Sequence, residues 1–398
     1  MKRKLLLVLA IVVVVAACFA LVACKKGDGG GDAASKTFVI GIGGPITQGS
    51  VDFGIGASRA VQLAVADANE SQEAKDLGIQ FKHMEGDDQS NPEKASVVAN
   101  SFVGTADLVG VVGHFNTGVS EPASFIYNEA RIVQISYGST GVSLTANGLD
   151  TVFRTCATDD LQGPAAAESA FALGLKTVAV VDDSTPYGQG LVAEFIKKFE
   201  ELGGKVVYKE SYTVGTTDFS SIATAIKAKS PDLVFYGGTY EADGSAGSLL
   251  SKQLKDGGVT VPMMGGDGIK ADAFIEQAGG AEGDMATLPG MPNDQLPNGQ
   301  AFVDAFTAKF GVAPGGFDAF AYDAAQAIIK AVFAVAKEKG VDQVTSPDGR
   351  EAIISTVAAS NFEGVTGPVS FDAKGDNQNP VITTYVVKDG AWVPLVVE

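Results

Sequence analysis

The sequence predicts an α/β protein in which two similar Rossmann-like lobes each contain a mainly parallel β-sheet. Three observations support this fold class. The 398 residues exceed the size at which a single hydrophobic core usually keeps growing, which favours two lobes. Apolar strand-like runs alternate with helical patterns, as in consecutive βαβ units. The alternation begins again near Thr177 and repeats the order of the first half, so the two lobes should resemble each other.

The first half of the chain supplies the elements of one lobe. We predict strands at residues 38–43, 79–86, 108–112 and 132–136, with helices at residues 54–69 and 92–103. A helix between two strands is the connection that parallel neighbours require. The first sheet should therefore be parallel.

The second half supplies a similar series. We predict strands at residues 177–181, 205–212 and 232–236, with helices at residues 190–202, 220–229 and 244–256. Gly203 and Gly204 should end the first of these helices, because the left-handed conformation at a helix C-terminus costs glycine little. Two α/β lobes of this kind bind a ligand between them, at the carboxyl ends of their strands.

Composition and charge exclude some classes of function. Apolar residues make up 45% of the chain and charged residues 19%, which indicates a globular body rather than a disordered chain. The formal net charge of −18 leaves no basic stripe to neutralise a phosphate backbone. We therefore expect no nucleic acid partner.

The N-terminus predicts export. Three basic residues at positions 2–4 precede an unbroken apolar run over residues 5–15, as in a secretory signal peptide spanning residues 1–23. Residues 21–24, Leu-Val-Ala-Cys, resemble the lipobox of bacterial lipoproteins, so Cys24 is the expected lipidated residue and the anchor to a membrane. Cys18 follows Val-Ala-Ala and is the competing candidate, but it lacks the leucine three residues ahead.

An uncleaved transmembrane helix is the alternative to a signal peptide, because about 20 apolar residues can span a bilayer. Residues 25–35 favour the signal peptide, since their Gly, Asp, Lys and Ser content is typical of a flexible linker. The lipidated N-terminus and linker would occupy residues 24–36. Only Cys156 would then remain in the body, where we expect it to pack in the core rather than form a disulfide.

The motifs of common enzymes are incomplete. Residues 41–44 suggest a dinucleotide fingerprint, but Pro45 follows them, and Ser50 stands where a phosphate-binding loop needs lysine. His83 and His114 are the only histidines, and they lie in no zinc-binding pattern. The acidic pair within residues 86–88 is more typical of capping than of a cation site. We expect no cofactor, no metal and no enzymatic activity.

Six segments together carry a resemblance to a known family. They resemble the leucine/isoleucine/valine-binding family of substrate-binding proteins, which serve ABC importers and have the type I periplasmic-binding fold with a multi-strand hinge. The resemblance covers residues 38–371, nearly all of the mature body. The segments are residues 40–69, 86–99, 111–145, 153–155 together with 160–163, 187–190 and 236–238.

The resemblance implies which residues bind a ligand carboxylate. In this family a serine after the third strand binds the carboxylate, and Thr117 occupies that position here. The segment of residues 136–140 matches a loop that binds both the carboxylate and the ammonium, which implicates Gly138, Ser139 and Thr140. A helix N-terminus beside such a loop can bind an anion without arginine. The alternative is that these hydroxyls only cap helices.

The resemblance also implies an anchor for the ligand ammonium and an aromatic wall. Asp267 matches a family acidic residue, usually glutamate, that faces the ammonium; the alternative is an ordinary turn aspartate before glycine. Tyr187 matches a tyrosine that reaches across the cleft, although it could also be a surface turn residue. Phe53, Tyr240 and Phe317 would line the wall, with core packing as their alternative.

The family's architecture implies the course of the chain through the lobes. Residues 37–153 plus 289–367 would form the N-terminal lobe, and residues 154–288 plus 368–398 the C-terminal lobe. The expected function is to capture a small amino-acid-like ligand, a branched-chain one in the first place, outside the cytoplasm and to deliver it to an ABC permease. Two alternatives remain open at this point: a ligand-sensing module of the same fold, and a binder of another amide, urea or aromatic acid.

Overall fold

The computed structural model describes residues 35–241 and 246–396. The predicted signal peptide and the lipidated Cys24 lie outside the described residues. The described residues from Lys36 onward belong to one compact unit.

The first sheet is built from the first five strands. Its spatial order is β2-β1-β3-β4-β5, and every neighbouring pair is parallel. This confirms the parallel sheet that the sequence predicts. The strands are β1 (Lys36–Gly44), β2 (Ile79–Asp87), β3 (Leu108–Val112), β4 (Gln134–Ser136) and β5 (Val152–Arg154).

The second sheet contains seven strands in the order β14-β13-β10-β9-β8-β6-β7. Five of them are parallel, and the C-terminal hairpin of β13 and β14 adds to β10 in antiparallel fashion. The strands are β6 (Thr177–Asp182), β7 (Lys205–Ser211), β8 (Leu233–Gly237), β9 (Met263–Gly265), β10 (Met285–Pro289), β13 (Ile382–Lys388) and β14 (Ala391–Pro394). Between them in sequence, β11 (Asn361–Glu363) and β12 (Pro368–Ser370) form a separate antiparallel pair.

The two sheets share one topology. The order β7-β6-β8-β9-β10 in the second sheet corresponds strand for strand to β2-β1-β3-β4-β5 in the first. In each, the second strand lies on one side of the first strand and the later strands on the other. Such a reversal of strand order creates a crevice at the carboxyl ends of the strands, where ligands bind in open α/β sheets.

Helices cover both faces of the sheets. The α-helices are α1 (Val51–Glu70), α2 (Gln72–Leu77), α3 (Pro92–Val103), α4 (Thr117–Glu129), α5 (Ser143–Ala146), α6 (Asp159–Ala172), α7 (Pro186–Glu201), α8 (Ser220–Lys229), α9 (Gly247–Asp256), α10 (Asp272–Gln277), α11 (Gly299–Phe310), α12 (Asp318–Lys339) and α13 (Pro347–Ala358). Short 3-10 helices occur at Asp267–Ile269, Asn293–Gln295 and Val341–Gln343.

Alternate residues of the central strands enter different cores. In β3, Val111 packs with α3 and α4, whereas Val112 packs with α1 and α12. In β6, Val180 packs with α6 and α7, whereas Val181 joins the core that contains α8 and α9. A strand that is covered on both faces reads as a continuous apolar run, which is why the central strands are so evident in the sequence.

Helix α12 is long and apolar enough to span a membrane by composition alone. Most of its apolar stretch is buried within the protein, against α1 and β3. It is therefore a core helix of this fold.

Most predicted elements agree with the structure to within a few residues. The end of the helix that precedes Gly203 confirms the predicted glycine stop: Gly203 has a φ of +92°, and its N–H and that of Gly204 donate to Glu200 and Phe199. These two bonds form a Schellman motif. Helix α7 begins four residues earlier than predicted, because Pro186 occupies its first turn and the Thr185 hydroxyl caps it.

Candidate functional site

All nine residues predicted to bind a ligand are buried. Four of them, Thr117, Gly138, Tyr187 and Asp267, line one cavity together with Phe115, Asn116 and Thr239. Thr117 and Gly138 follow strands of the first sheet, and Asp267 follows a strand of the second. The cavity thus lies between the carboxyl ends of both sets of strands. Its volume is about 10 Å³, which is room for about one water.

Three of the four predicted aromatic residues, Phe53, Tyr240 and Phe317, form one cluster with Phe115 beside this cavity. The ring of Phe53 is stacked on Phe115 at a centroid distance of 4.6 Å and meets the edges of Tyr240 and Phe317 at 5.8 and 5.5 Å. Phe53 and Phe115 come from the first half of the chain, whereas Tyr240 follows β8. The Tyr240 hydroxyl accepts the Asp52 N–H at 3.4 Å. The cluster therefore joins the two halves of the molecule.

Thr117 is the first residue of α4, directly beside the loop that follows β4. Its hydroxyl oxygen accepts the backbone N–H of Gly141 at 3.0 Å, so the hydroxyl proton remains available to a further acceptor. The first turn of an α-helix also presents backbone N–H groups that have no acceptor within the helix. This corner of the cavity is suited to a carboxylate.

Ser139 ties the two loops of the first sheet together. Its hydroxyl lies 2.6 Å from that of Ser120, and it also contacts the carbonyls of His114 and Phe115 at 3.1 and 2.9 Å. Gly138 adjoins the Phe115 ring so closely that an added Cβ would lie 2.3 Å from a ring carbon. These contacts give Ser139 and Gly138 a role in shaping the loop.

Arg154, at the end of β5, is fully buried beneath the same loop. Its guanidinium donates to the carbonyls of Ser139 and Gly141 at 2.6 and 2.9 Å, and to the Thr145 hydroxyl at 2.7 Å. Its Nε lies 2.7 Å from a carboxylate oxygen of Asp376. Arg154 therefore holds the loop in place without lining the cavity.

Asp267 is held by neutral hydrogen-bond donors. Its Oδ1 accepts the side-chain N–H of Gln162 at 2.6 Å and the hydroxyl of Tyr187 at 3.0 Å. Tyr187 in turn accepts the Gly268 N–H at 3.1 Å. Tyr187 lies in the first turn of α7 and forms hydrogen bonds to residues of its own half of the molecule. It is buried and lines the cavity, so it is not a surface turn residue.

A second carboxylate, Asp159, lies beside Asp267. The Gln162 side-chain nitrogen donates to Asp159 Oδ1 at 3.0 Å as well as to Asp267. The amide orientation is fixed, because the Gln162 oxygen accepts the Asp267 N–H at 3.2 Å and the Thr287 hydroxyl at 3.3 Å. Thr140, a predicted site residue, contacts Asp159: its carbonyl accepts the Asp159 N–H at 2.9 Å, and its hydroxyl lowers the pKa of that carboxyl.

Burial raises the pKa of both carboxyl groups. Loss of hydration is the main cause for Asp159, the charge of Asp267 adds to it, and its pKa rises to about 8. Loss of hydration also raises the pKa of Asp267 to about 6, against the lowering effect of its bonds to Gln162 and Tyr187. Among the described residues, no lysine, arginine or histidine nitrogen lies within 4 Å of either carboxylate. The two buried carboxylates therefore lack a cationic partner within the protein, and the site favours a cationic ligand.

The acidic pair at residues 87 and 88, considered above as a cation site, makes internal hydrogen bonds. Asp87 accepts the backbone N–H groups of Ile46 and Gln89 at 2.9 and 3.2 Å. Asp88 is buried, with its Oδ2 2.7 Å from Nδ1 of His114. Within the described part of the chain, no group of three His, Cys, Asp or Glu side chains could hold a metal ion.

A larger groove of about 870 Å³ is lined in part by Phe53 of the aromatic cluster. Phe53 is its only member among the nine predicted residues. Its walls mix the carboxylates of Asp52, Asp272, Asp294 and Asp318 with the cations of Arg59 and Lys270. The smaller cavity is the better candidate site, because there the helix N-terminus and the buried carboxylates converge.

The sequence reasoning missed Asp159, Gln162 and Phe115. Gln162 lies within a segment that carries the family resemblance, so its position gave some signal. No sequence signal indicated Asp159. Its neighbour Asp160 is equally acidic, and only the structure shows that Asp159 is buried and Asp160 exposed. Cys156, expected in the core, is indeed fully buried.

Comparison with known proteins gives a consistent result. The model of the periplasmic binding protein family matches residues 37–391. The Leu/Ile/Val-binding protein homolog 1 of Brucella abortus (strain 2308) is 35% identical over 364 residues, which cover 91% of this chain and 93% of that protein.

Solved structures with the same fold include two binding proteins. A leucine binding protein of Thermotoga maritima superposes with a TM-score of 0.79 at 26% identity, covering 90% of this chain and 98% of that one. A branched-chain amino acid transporter substrate binding protein of Streptococcus pneumoniae, in complex with isoleucine, gives 0.74 at 26% identity, with 90% and 100% covered.

Proposed function

The chain belongs to the periplasmic binding protein family, and from this premise we propose that it captures a branched-chain amino acid outside the cytoplasm and delivers it to an ABC importer. The observation that carries the proposal is the pair of complementary ends in the cavity. A helix N-terminus with a threonine hydroxyl lies at one end, and the buried carboxylate of Asp267 lies at the other. A free amino acid carries the opposite charges at the same two ends.

The carboxylate of the ligand would bind at the start of α4. Thr117 would donate its hydroxyl proton, and the N–H groups of the first helical turn would supply the rest. Thr140 and the loop around Gly138 would close over this end, with Arg154 fixing the loop from beneath.

The ammonium of the ligand would bind at Asp267. A buried carboxylate without a cationic partner is costly, and a hydrogen-bonded ammonium removes most of that cost. The side chain of the ligand would contact the aromatic cluster of Phe53, Phe115, Tyr240 and Phe317. That wall is apolar, which suits leucine, isoleucine and valine.

Binding would be coupled to movement of the two halves. The cavity of about 10 Å³ is too small for an amino acid, so the halves must separate for the ligand to enter and then close on it. A ligand that contacts both halves stabilises the closed state, which a membrane permease can recognise. The proposed function needs no bond to be made or broken. We also propose that residues 37–153 plus 289–367 form one lobe and residues 154–288 plus 368–398 the other. A lipid on Cys24 would tether the protein to a membrane.

A thermal-shift experiment tests the proposal. Residues 35–398, freed of carried-over ligand, are melted with each amino acid, with amides, with urea and with aromatic acids. A ligand at 100 times its Kd should stabilise the native state by about 2.7 kcal/mol. We expect leucine, isoleucine or valine to raise the Tm in a saturable way.

The variant Asp267→Asn should abolish that rise at the same ligand concentrations, whereas Asp272→Asn, a change at an exposed aspartate, should preserve it. If only compounds without an ammonium raise the Tm, the assignment of an amino acid is wrong. A sensing module of the same fold would bind the same ligand, but deleting it would leave uptake of that ligand through the permease unchanged.

A further inference from the structure

We propose that Asp159 and Asp267 share one proton in the ligand-free site, and that the ammonium of the incoming ligand displaces this proton to solvent. The displacement of the proton by an ammonium rests on the proposed function, whereas the shared proton does not. It makes Asp159 a second ammonium-binding residue and makes binding a proton-releasing step.

The geometry requires some positive charge at this site. Both carboxylates are buried, at 1% and 2% exposure, and they are bridged by the two N–H groups of one amide, that of Gln162. Two buried like charges this close cannot both remain ionised without a partner, because each lacks hydration and repels the other. The available partners are a proton or a cationic ligand.

The neighbouring groups do not provide that charge. The titratable and charged groups around the pair are Arg154, Cys156, Tyr187 and Asp376. Arg154 is committed to the carbonyls of the 139–141 loop and to Asp376, and it affects Asp159 least among the causes of its pKa shift. Burial raises the pKa of Cys156 and of Tyr187, which keeps both neutral.

The proton would reside mainly on Asp159. Its pKa is the more strongly raised of the two, to about 8, whereas the Tyr187 and Gln162 donors stabilise Asp267 as the anion. The two groups titrate as a pair, so the proton belongs to the site rather than to one residue. When an ammonium with three N–H donors enters, both carboxylates can accept from it, and the proton leaves to the buffer.

Calorimetry measures the released proton. Leucine is titrated into the protein at pH 7 in two buffers that differ in ionisation enthalpy, and the difference in heat gives the number of protons released. We expect close to one proton for the wild type. Asp159→Asn, which keeps the acceptor for Gln162, should bind leucine and release almost none. Asp160→Asn alters the adjacent exposed carboxylate and should behave as the wild type.

A second measurement needs no ligand. A carboxyl whose pKa is raised by folding binds protons better in the folded state, so the free energy of unfolding falls as the pH rises from the unfolded value of 3.8 through the folded value. The Tm of the ligand-free wild type should therefore fall more between pH 5 and pH 8 than that of Asp159→Asn. Other buried acids, such as Asp183 and Asp318, contribute equally to both proteins.

The outcomes separate the two proposals. Leucine binding without proton release, or an identical pH dependence of the ligand-free Tm in the wild type and Asp159→Asn, would overturn the shared proton. The absence of any heat with leucine, isoleucine or valine would overturn the proposed function, and the ligand-free comparison would still decide the shared proton.

Discussion

At the scale of single residues, the site depends on a buried arginine that does not line the cavity. Arg154 organises the loop of residues 138–141 through its bonds to the carbonyls of Ser139 and Gly141. A planar guanidinium can reach these carbonyls, Thr145 and Asp376 at once, which a lysine ammonium cannot do. Arg154 is therefore a positioning residue.

Arg154→Met should destabilise the protein by about 3–5 kcal/mol, because Asp376 loses its partner and two buried carbonyls lose their donor. Denaturant unfolding measures this cost. Arg131→Met is the matched control: Arg131 pairs with Asp150 and Glu351 at the surface, so its loss should cost no more than about 1 kcal/mol. Similar costs for both variants would show that the buried network contributes little.

The sequence predicted the position of a residue in the fold where that residue matched a family motif. Asp267 follows a strand within a glycine-rich turn that matches the family's acidic position, and it lines the cavity. The sequence could not show that Gln162, 105 residues earlier in the chain, bridges Asp267 to Asp159. That bridge exists only because the 3-10 helix of Asp267–Ile269 and the start of α6 lie next to each other in the fold.

At the scale of elements, the helix N-termini on the two sides of the cavity meet directly. Gly118 in α4 packs against Pro186 at the start of α7, and an added Cβ on Gly118 would lie 3.0 Å from the proline Cδ. These two helices belong to different sheets. Glycine at position 118 therefore allows the two halves to approach.

Gly118→Val should weaken ligand binding by roughly tenfold or more, because overpacking at this contact typically costs about 1–3 kcal/mol in the closed state. Gly190→Val is the matched control, since it places the same side chain in helix α7 where nothing lies within 4 Å. Calorimetric titration of leucine compares them. Equal affinities for the two variants would mean that closure does not bring α4 and α7 together.

The regular elements of the two βαβ series were predictable, and some were predicted to the residue. Strand β3 and helices α3 and α8 have the predicted limits. No limits were predicted for helices α4 and α6, because Pro122 and Pro164 lie inside them and proline is more typical of helix ends. The antiparallel hairpin of β13 and β14 was not predicted either. No helix connects its strands, so the sequence lacked the βαβ pattern that indicates neighbouring strands elsewhere.

At the scale of the whole molecule, one topology occurs twice and faces a common cavity. The duplication puts the carboxyl ends of both sets of strands, with their loops and helix N-termini, around the ligand. One side supplies donors for an anion and the other supplies carboxylates. An amino acid is therefore the ligand that both halves can bind at once, and its two ends would hold the halves together.

Calorimetric titration with three compounds tests this claim most directly: leucine, 4-methylpentanoate, which lacks the ammonium, and 3-methylbutylamine, which lacks the carboxylate. The account predicts that leucine binds tightly and that each analogue loses roughly 100-fold or more in affinity, since one leaves the buried carboxylates unpaired and the other leaves the N–H and O–H donors at the start of α4 unpaired. If 4-methylpentanoate binds as tightly as leucine, the carboxylates of Asp159 and Asp267 do not recognise an ammonium, and the account is wrong.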